Sequence, residues 1–401
     1  MKYTPQEVMQ YIQEEDVKFI RLAFCDVWGH PKNISIMPHE LERAFEYGIA
    51  IDSSAIAGFG DEVYSDLFLH PDSATLAVLP WRPETGRVVR MYCTITDHEG
   101  NLFVHDTRSI LKHAIEDAAG AGYVFSIGSE LEFYLFRLDD NGEPVKLPYD
   151  HASYMDVAPE DRCEDVRREI CLTLERMGIC PESSHHEEGP GQNEIDFRYS
   201  DALSAADNAV TFRAVVKTIA ARNGLYADFS PKPIADKPGS GFHINLSVKG
   251  PGEDLMRYMM GGILKHVADI TRFLNPSEQS YSRLGAFKAP KYISWSNNNR
   301  SMLIRIPTAS GEYRRVELRS PDCTANPYIA FALLIWAGLD GIQRRIVPPE
   351  NANVNLFTAA PEELKGLKTL PLSLSAAVRQ ASSSGFVRSR LPESLIRYFC
   401  G

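Results

Sequence analysis

The sequence predicts a mixed α and β protein of two unequal domains, and three observations carry that reading. At 401 residues the chain is longer than most single small domains. Strand-like and helix-like periodicities alternate along it, with no internal repeat and no low-complexity tract. Apolar residues make up 44% and charged residues 24%, which supplies an ample core.

Taken in order, Thr4-Pro5-Gln6-Glu7 opens an acidic amphipathic helix: Thr caps, Pro sits first and Glu returns the bond. VKFIRLAFCDVWGHPKNISIMP reads as two strands joined at Gly29 and Pro31. ELERAFEYG is a short helix, and a Gly/Ser/Asp-rich loop runs from Asp52 to Asp66. RVVRMYCTIT is a strand ending near residue 97, and the turn DHEGN leads into the helix TRSILKHAIEDAA. A domain boundary is therefore expected near residue 100, giving domains at 1–100 and 101–401. EDVRREICLTLERMG carries Val166, Ile170, Leu174 and Met177 at the helical period. ANPYIAFALLIWAGLDGI is apolar nearly all round, which predicts a buried core helix.

Composition narrows the function. A net charge of −11 argues against nucleic acid or an anionic membrane as the main partner. Seven scattered cysteines without a CxxC predict neither a disulfide framework nor a zinc site and fit a reducing, cytoplasmic setting. The amino terminus has no secretory apolar region. The longest apolar run, near Tyr328 to Leu339, is shorter than the ~20 residues that span a bilayer. Without GxxxxGK[ST] or GxGxxG, P-loop and Rossmann readings have no support.

Five strand-like runs carry the chemistry. GSELEFYLF presents Glu130 and Glu132, and NEIDFRY presents Glu194, Asp196 and Arg198. GFHINLS presents His243, Asn245 and Ser247, SMLIRIP presents Arg305, and RRVELRS presents Arg315, Glu317 and Arg319. Side chains two apart share a strand face, so one sheet would gather carboxylates, an imidazole and guanidiniums opposite a core face. HHEEGPGQNE adds His185, His186 and Glu187 around a Gly-Pro-Gly turn. Glu with one His is a hard, oxygen-rich set that favours Mg²⁺ or Mn²⁺ over zinc. The competing explanation for each Glu pair is the wet face of a half-exposed sheet. Arg283, Arg300, Arg305, Arg315 and Arg319 lie close in sequence and suit bidentate grip on phosphate or carboxylate, although ion pairing with the acids also accounts for some of them. For one of the two adjacent histidines a scaffold role is at least as well supported as a ligand role.

GSELEFYLF, HHEEGPGQNEID, GSGFHINLS, NPSEQSYSRL, NNNRSMLIRIP and RRVELRSPDCTANPY strongly resemble the bacterial class I glutamine synthetases. FCDVWGHPKNISI, IDSSAIAGFG and YSDLFLHPDSATL extend the resemblance over essentially the whole chain. It implies an α+β fold of the glutamine synthetase/guanido kinase-like type: a small β-grasp-like amino-terminal domain and a catalytic domain on a curved antiparallel sheet. It implies an ATP-dependent ligase making a γ-glutamyl amide from glutamate and ammonia, with two or more Mg²⁺ or Mn²⁺ ions per site. Glu132, Glu187 and Glu194 would hold one metal, and Glu130, His243 and Glu317 the other. Arg305 and Arg315 would meet the ATP phosphates, Asn245 and Ser247 the nucleoside, and His185 the cofactor side. Arg283, Arg319 and Gly239 would hold glutamate, Arg300 the transferred phosphoryl, and Asp52 would take the ammonium proton. Such sites form between subunits of a homo-oligomeric six-membered ring, single or stacked.

The chain departs from the family at the amine pocket. Lys288, in SYSRLGAFKAP, stands where the family's flap carries a Glu, and Ala55 replaces a Ser of the Asp-Gly-Ser-Ser loop. Tyr154 still matches the pocket aromatic. An ammonium ~4 Å from the Lys288 cation would lose about 4 kcal/mol at an effective dielectric of ~20, roughly a thousandfold in occupancy, unless a flexible loop leaves that charge in solvent. Alternatives are therefore a γ-glutamyl ligase for another amine, or a catalytically weak ATP- or glutamate-binding sensor. Pro238 replaces an Asn before the Gly-Ser-Gly loop, which would loosen recognition of the amino-acid end. Phe357 stands where some members carry an adenylylated Tyr, so that regulation is expected to be absent. The ending IRYFCG stops short of the family's long ring-locking helix, so by this resemblance a single hexamer and a weaker dodecamer are both open.

Overall fold

The computed structural model describes residues 3–60, 65–82, 84–308, 311 and 314–401. Residues 61–64 of the loop expected at 52–66 lie outside the described residues. The first helix, α1 (Pro5–Glu14), starts as predicted, with Thr4 and Glu7 forming a reciprocal capping box. The predicted strand pair is β1 (Val17–Cys25) and β2 (Pro31–Ile36), antiparallel from Cys25↔Pro31. After α2 (Leu41–Tyr47) come β3 (Ile49–Asp52), β4 (Asp66–Pro71), β5 (Ala77–Val78) and β6 (Arg87–Thr96). Their sheet runs β2-β1-β6-β4-β3, with β1 and β6 parallel and β5 pairing with β6.

Among the described residues the second sheet holds the remaining nine strands. They are β7 (Val124–Leu138), β8 (Pro144–Pro148), β9 (Pro181–His186), β10 (Gln192–Asp201), β11 (Leu225–Asp228), β12 (Phe242–Lys249), β13 (Trp295–Asn297), β14 (Ile304–Ile306) and β15 (Val316–Leu318). The order is β13-β14-β15-β12-β7-β10-β9, with β8 and β11 also on β7. All pairings are antiparallel except β13 with β14. A register shift between Phe197 and Ser200 bends β10, and the sheet as a whole curls.

Alternation sorts its two faces. Ile127, Leu131, Phe133, Ile195, Phe197, Ile244, Leu246, Val316 and Leu318 are buried on one face. Against this core pack α3 (Thr107–Gly120), α4 (Glu164–Arg176), α5 (Ala202–Arg222), α6 (Leu255–Leu274) and α8 (Pro327–Gln343), α7 (Glu278–Arg283) lying beside the site. As its composition predicts, α8 is buried from Pro327 to Ile342. It crosses α6 where Gly262 and Gly341 meet, their Cα atoms so close that a methyl on Gly341 would lie 2.7 Å from Gly262 and 2.2 Å from the Tyr258 carbonyl. Four short helices, α9 (Pro361–Leu364), α10 (Leu374–Ser383), α11 (Gly385–Arg388) and α12 (Glu393–Cys400), complete the chain. Among the described residues no helix is long and apolar enough to cross a membrane.

Candidate active site

The opposite face of the large sheet is polar because its strands register acid against acid. His185 on β9, Glu194 on β10 and Glu132 on β7 are direct cross-strand neighbours. The next row is Ser183, Asp196, Glu130 and His243, and the next is Asn245, Glu317 and Arg305. Like charges directly opposite on a sheet repel, so this order carries a standing cost unless cations offset it. Arg198, expected on the same face, follows the β10 bend and is exposed instead.

Oxygen and imidazole donors converge. Glu130, His243 and Glu317 offer ligand atoms within 4.8 Å of one another. His243 Nδ1 lies 3.3 Å from Glu130 and 3.7 Å from Glu317, and its Nε2 lies 3.9 Å from Glu132. Glu194 is shared: it groups with Glu132 and His243, with His185 and Glu187, and with Glu130 and Asp196. His185 Nε2 is 3.1 Å from Glu187 and 3.7 Å from Glu194, so an imidazole stands beside the set expected to be three glutamates. The donor chemistry fits hard divalent cations.

Burial and then mutual repulsion raise the Glu194 carboxyl well above the usual range, with Asp196 and Glu132 the strongest of the like charges. Burial and then Glu130 push Asp196 up to about 7. Glu130 goes the other way, to about 2: burial opposes, but bonds from His243 and Asn245 and the Arg315 charge outweigh it.

The arginines divide between grip and support. Arg305 donates to one Glu317 oxygen at 2.6 Å and Arg319 to the other at 3.1 Å, so ion pairing with the acids accounts for part of that cluster. Arg315 donates to Asn245 at 2.9 Å. Arg283 is fully buried against the Ser320 and Arg319 carbonyls, and its side chain packs where a Cβ on Gly239 would lie. These groups and Arg300 line a cleft of about 520 Å³. A recess of about 240 Å³ continues past Asn245 and Ser247 to Gly128 and Tyr199. Asp52 lies elsewhere, exposed on β3 and bonded by Ser54 at 2.7 Å.

The two adjacent histidines separate as β9 alternation dictates. His185 faces the cleft. His186 is fully buried, 2.9 Å from Asp150, with Nδ1 donating to the Glu187 carbonyl at 2.6 Å. Asp150 also accepts from Cys163, while Arg167 holds Asp161 and Asn193, so this second polar group is a scaffold under the Glu187 turn.

Lys288 lines the cleft, half-exposed, with a carboxylate partner that the like-charge argument does not include. Its ammonium is ion-paired with Glu188 and lies 5.7 Å from the Tyr154 ring centre, itself edge-on to His185. Glu188 was not singled out from sequence, because its partner is a hundred residues away and nothing local signals the pairing. Gln192 was also missed. It donates to Glu132 at 3.3 Å and to the Gly239 carbonyl at 3.2 Å, and its strand parity with Glu194 was the available signal. Pro238 keeps a polar role through its carbonyl, which accepts from Tyr134 at 2.6 Å.

Known families agree with this architecture. A family described as "Glutamine synthetase, beta-Grasp domain" matches residues 16–98, and "Glutamine synthetase, catalytic domain" matches residues 104–401. The glutamine synthetase of Methanosarcina mazei is 44% identical over a 412-residue alignment covering 99% of this chain and 92% of that protein. That of Clostridium saccharobutylicum is 41% identical, covering 97% and 92%. A solved structure titled "GmaS/ADP complex-Conformation 1" superposes with a TM-score of 0.88 at 29% identity, covering 98% of this chain and 93% of that one.

Proposed function

Because the chain belongs to the glutamine synthetase family, we infer that it makes glutamine from glutamate and ammonia with ATP, through a γ-glutamyl phosphate. The observation that carries this is the register that stacks His185, Glu194, Glu132, Glu130, His243 and Glu317 on one face beside five arginines. A carboxylate does not accept an amine, because oxide is a poor leaving group. The γ-carboxylate therefore attacks the γ-phosphorus and ADP departs; ammonia then attacks the acyl carbon, phosphate leaves and a proton is lost. The relatives' names do not favour a different amine.

Glu130, His243 and Glu317 would hold one divalent cation, and Glu132, Glu187 and Glu194, linked through Glu194 in two overlapping donor groups, a second, with Mg²⁺ or Mn²⁺ suited to these donors. Bound there, such ions supply charge neutralisation to the triphosphate and the transferred group. Arg305 and Arg315 would orient the phosphates, with Asn245, Ser247 and the recess on the nucleoside side and His185 beside the cofactor. Arg283, Arg319 and the Gly239 backbone would hold glutamate, and Arg300 would meet the transferred phosphoryl. We place the protein in the cytoplasm as a homo-oligomeric ring, domains 1–100 and 101–401 of neighbouring subunits sharing each site, so that a neighbour's Asp52 takes the ammonium proton.

Glutamine and phosphate formation from glutamate, ATP and ammonium tests the reading. Glu317→Ala should lower kcat on the order of a hundredfold or more. Retained turnover in that variant would break the ligand assignment, and phosphate release with no amine acceptor at all would break the reaction.

A further inference from the structure

Resting on glutamine formation as the reaction, we propose that Glu188 is a specificity-determining residue: it cancels the Lys288 charge so that free ammonium can enter the cleft. Lys288 is an alkylammonium fixed by a carboxylate beside an aromatic ring. Carboxylate plus aromatic face is also the chemistry that attracts a free ammonium ion. Lys288, Glu188 and Tyr154 all line the main cleft with Glu187 and Arg300. The Lys288 ammonium thus marks a cation-attracting end of the cleft.

The pair is built in from both sides. Glu188 sits at the turn after β9, held by its own N–H donating to Glu187 at 3.0 Å. Lys288 sits on a tight loop in which Gly285 N–H reaches the Ala289 carbonyl at 3.0 Å and Phe287 adopts a left-handed φ of 52°. Arg319 fixes the same loop by donating to the Lys288 carbonyl at 3.3 Å, and Lys232 lies 4.1 Å from the Phe287 ring centre. None of these anchors uses the Lys288 ammonium. The ion pair is therefore not needed to hold the loop in place, and its consequence is electrostatic. With Glu188 present, the pair is net neutral at the amine end. Without it, the Lys288 cation at the cleft wall is offset only by the more distant Glu187.

A charge-cancelling pair and a mechanical latch make opposite forecasts. If the pair only fastens the loop, Glu188→Gln and Lys288→Gln break it equally and raise the ammonium KM alike. If Glu188 cancels charge, E188Q raises the ammonium KM by about tenfold or more, whereas K288Q, which leaves a carboxylate uncompensated, lowers it. Steady-state kinetics on the full chain should show those opposite displacements, with the KM values for ATP and glutamate moving less than about twofold. The double variant E188Q/K288Q should bring the ammonium KM back towards the wild-type value, and Lys288→Arg, which keeps the charge, should stay near it. Displacements of the same sign, or none, overturn the proposal while leaving glutamine formation by the wild type standing. Failure of the wild type to make glutamine would instead defeat the reading beneath it.

Discussion

At Glu194 and Asp196 burial and like charge act in the same direction, and the consequence is a proton reservoir in the cleft. Both carboxyls are raised, Asp196 to about 7, so near neutral pH the metal-free protein holds protons that free carboxylates would have lost. A divalent ion held by ionised Glu194 also favours the ionised form of Asp196 beside it, so binding releases protons, and affinity falls as pH drops through 7. The half-saturating Mg²⁺ or Mn²⁺ concentration should therefore decrease from pH 6 to pH 8. Calorimetric titrations near pH 7 should give heats that depend on the buffer's ionisation enthalpy. Equal heats in all buffers would show that no proton leaves. This scale is the most legible in the sequence: a two-residue repeat sets the strand faces of Glu130, Glu132, Glu194, His243 and Glu317 whatever the pairing. The Glu188–Lys288 contact was not legible, since it depends on the approach of two turns, and turns carry no periodicity.

Elements with long periodic patterns were read nearly to their ends. The strand RVVRMYCTIT is β6 residue for residue, and α3 and α8 begin within two residues of the expected helix starts. Strands β9 and β13 carry no strand signal of their own. PESSHH is polar at most positions and WSN is three residues long, so their conformation comes from the neighbouring ladder and not from local preference. The α6–α8 crossing is another tertiary fact that helical periodicity leaves unstated. Replacing Gly341 by Ala should gain ~1 kcal/mol in helix propensity. The new methyl would meet backbone at 2.2 Å, and overpacking of this kind costs about 1–3 kcal/mol, so the net effect is destabilising. Denaturant titration should show a lower midpoint with an unchanged slope; a midpoint at or above wild type would mean that the helices separate at little cost.

For the whole molecule the decisive residue is Asp52. It is exposed on β3, belongs to the sheet of the first domain, and does not line the cleft of its own chain. A single chain thus presents the cation-binding face and the arginines, while the carboxylate proposed to accept the ammonium proton points elsewhere. Closed rings solve this through a heterologous contact, each subunit lending one surface to the next. Co-expression of Asp52→Ala with Glu317→Ala subunits separates the alternatives. Each variant alone should be nearly inactive. If Asp52 serves the neighbouring cleft, random mixing leaves about a quarter of the interfaces with both residues intact, and roughly that share of activity returns. If Asp52 acts within its own chain, no intact pair arises and the mixture stays as inactive as its parts. Light scattering on the same preparation ties the outcome to assembly, because activity recovered in a purely monomeric sample would contradict a shared site.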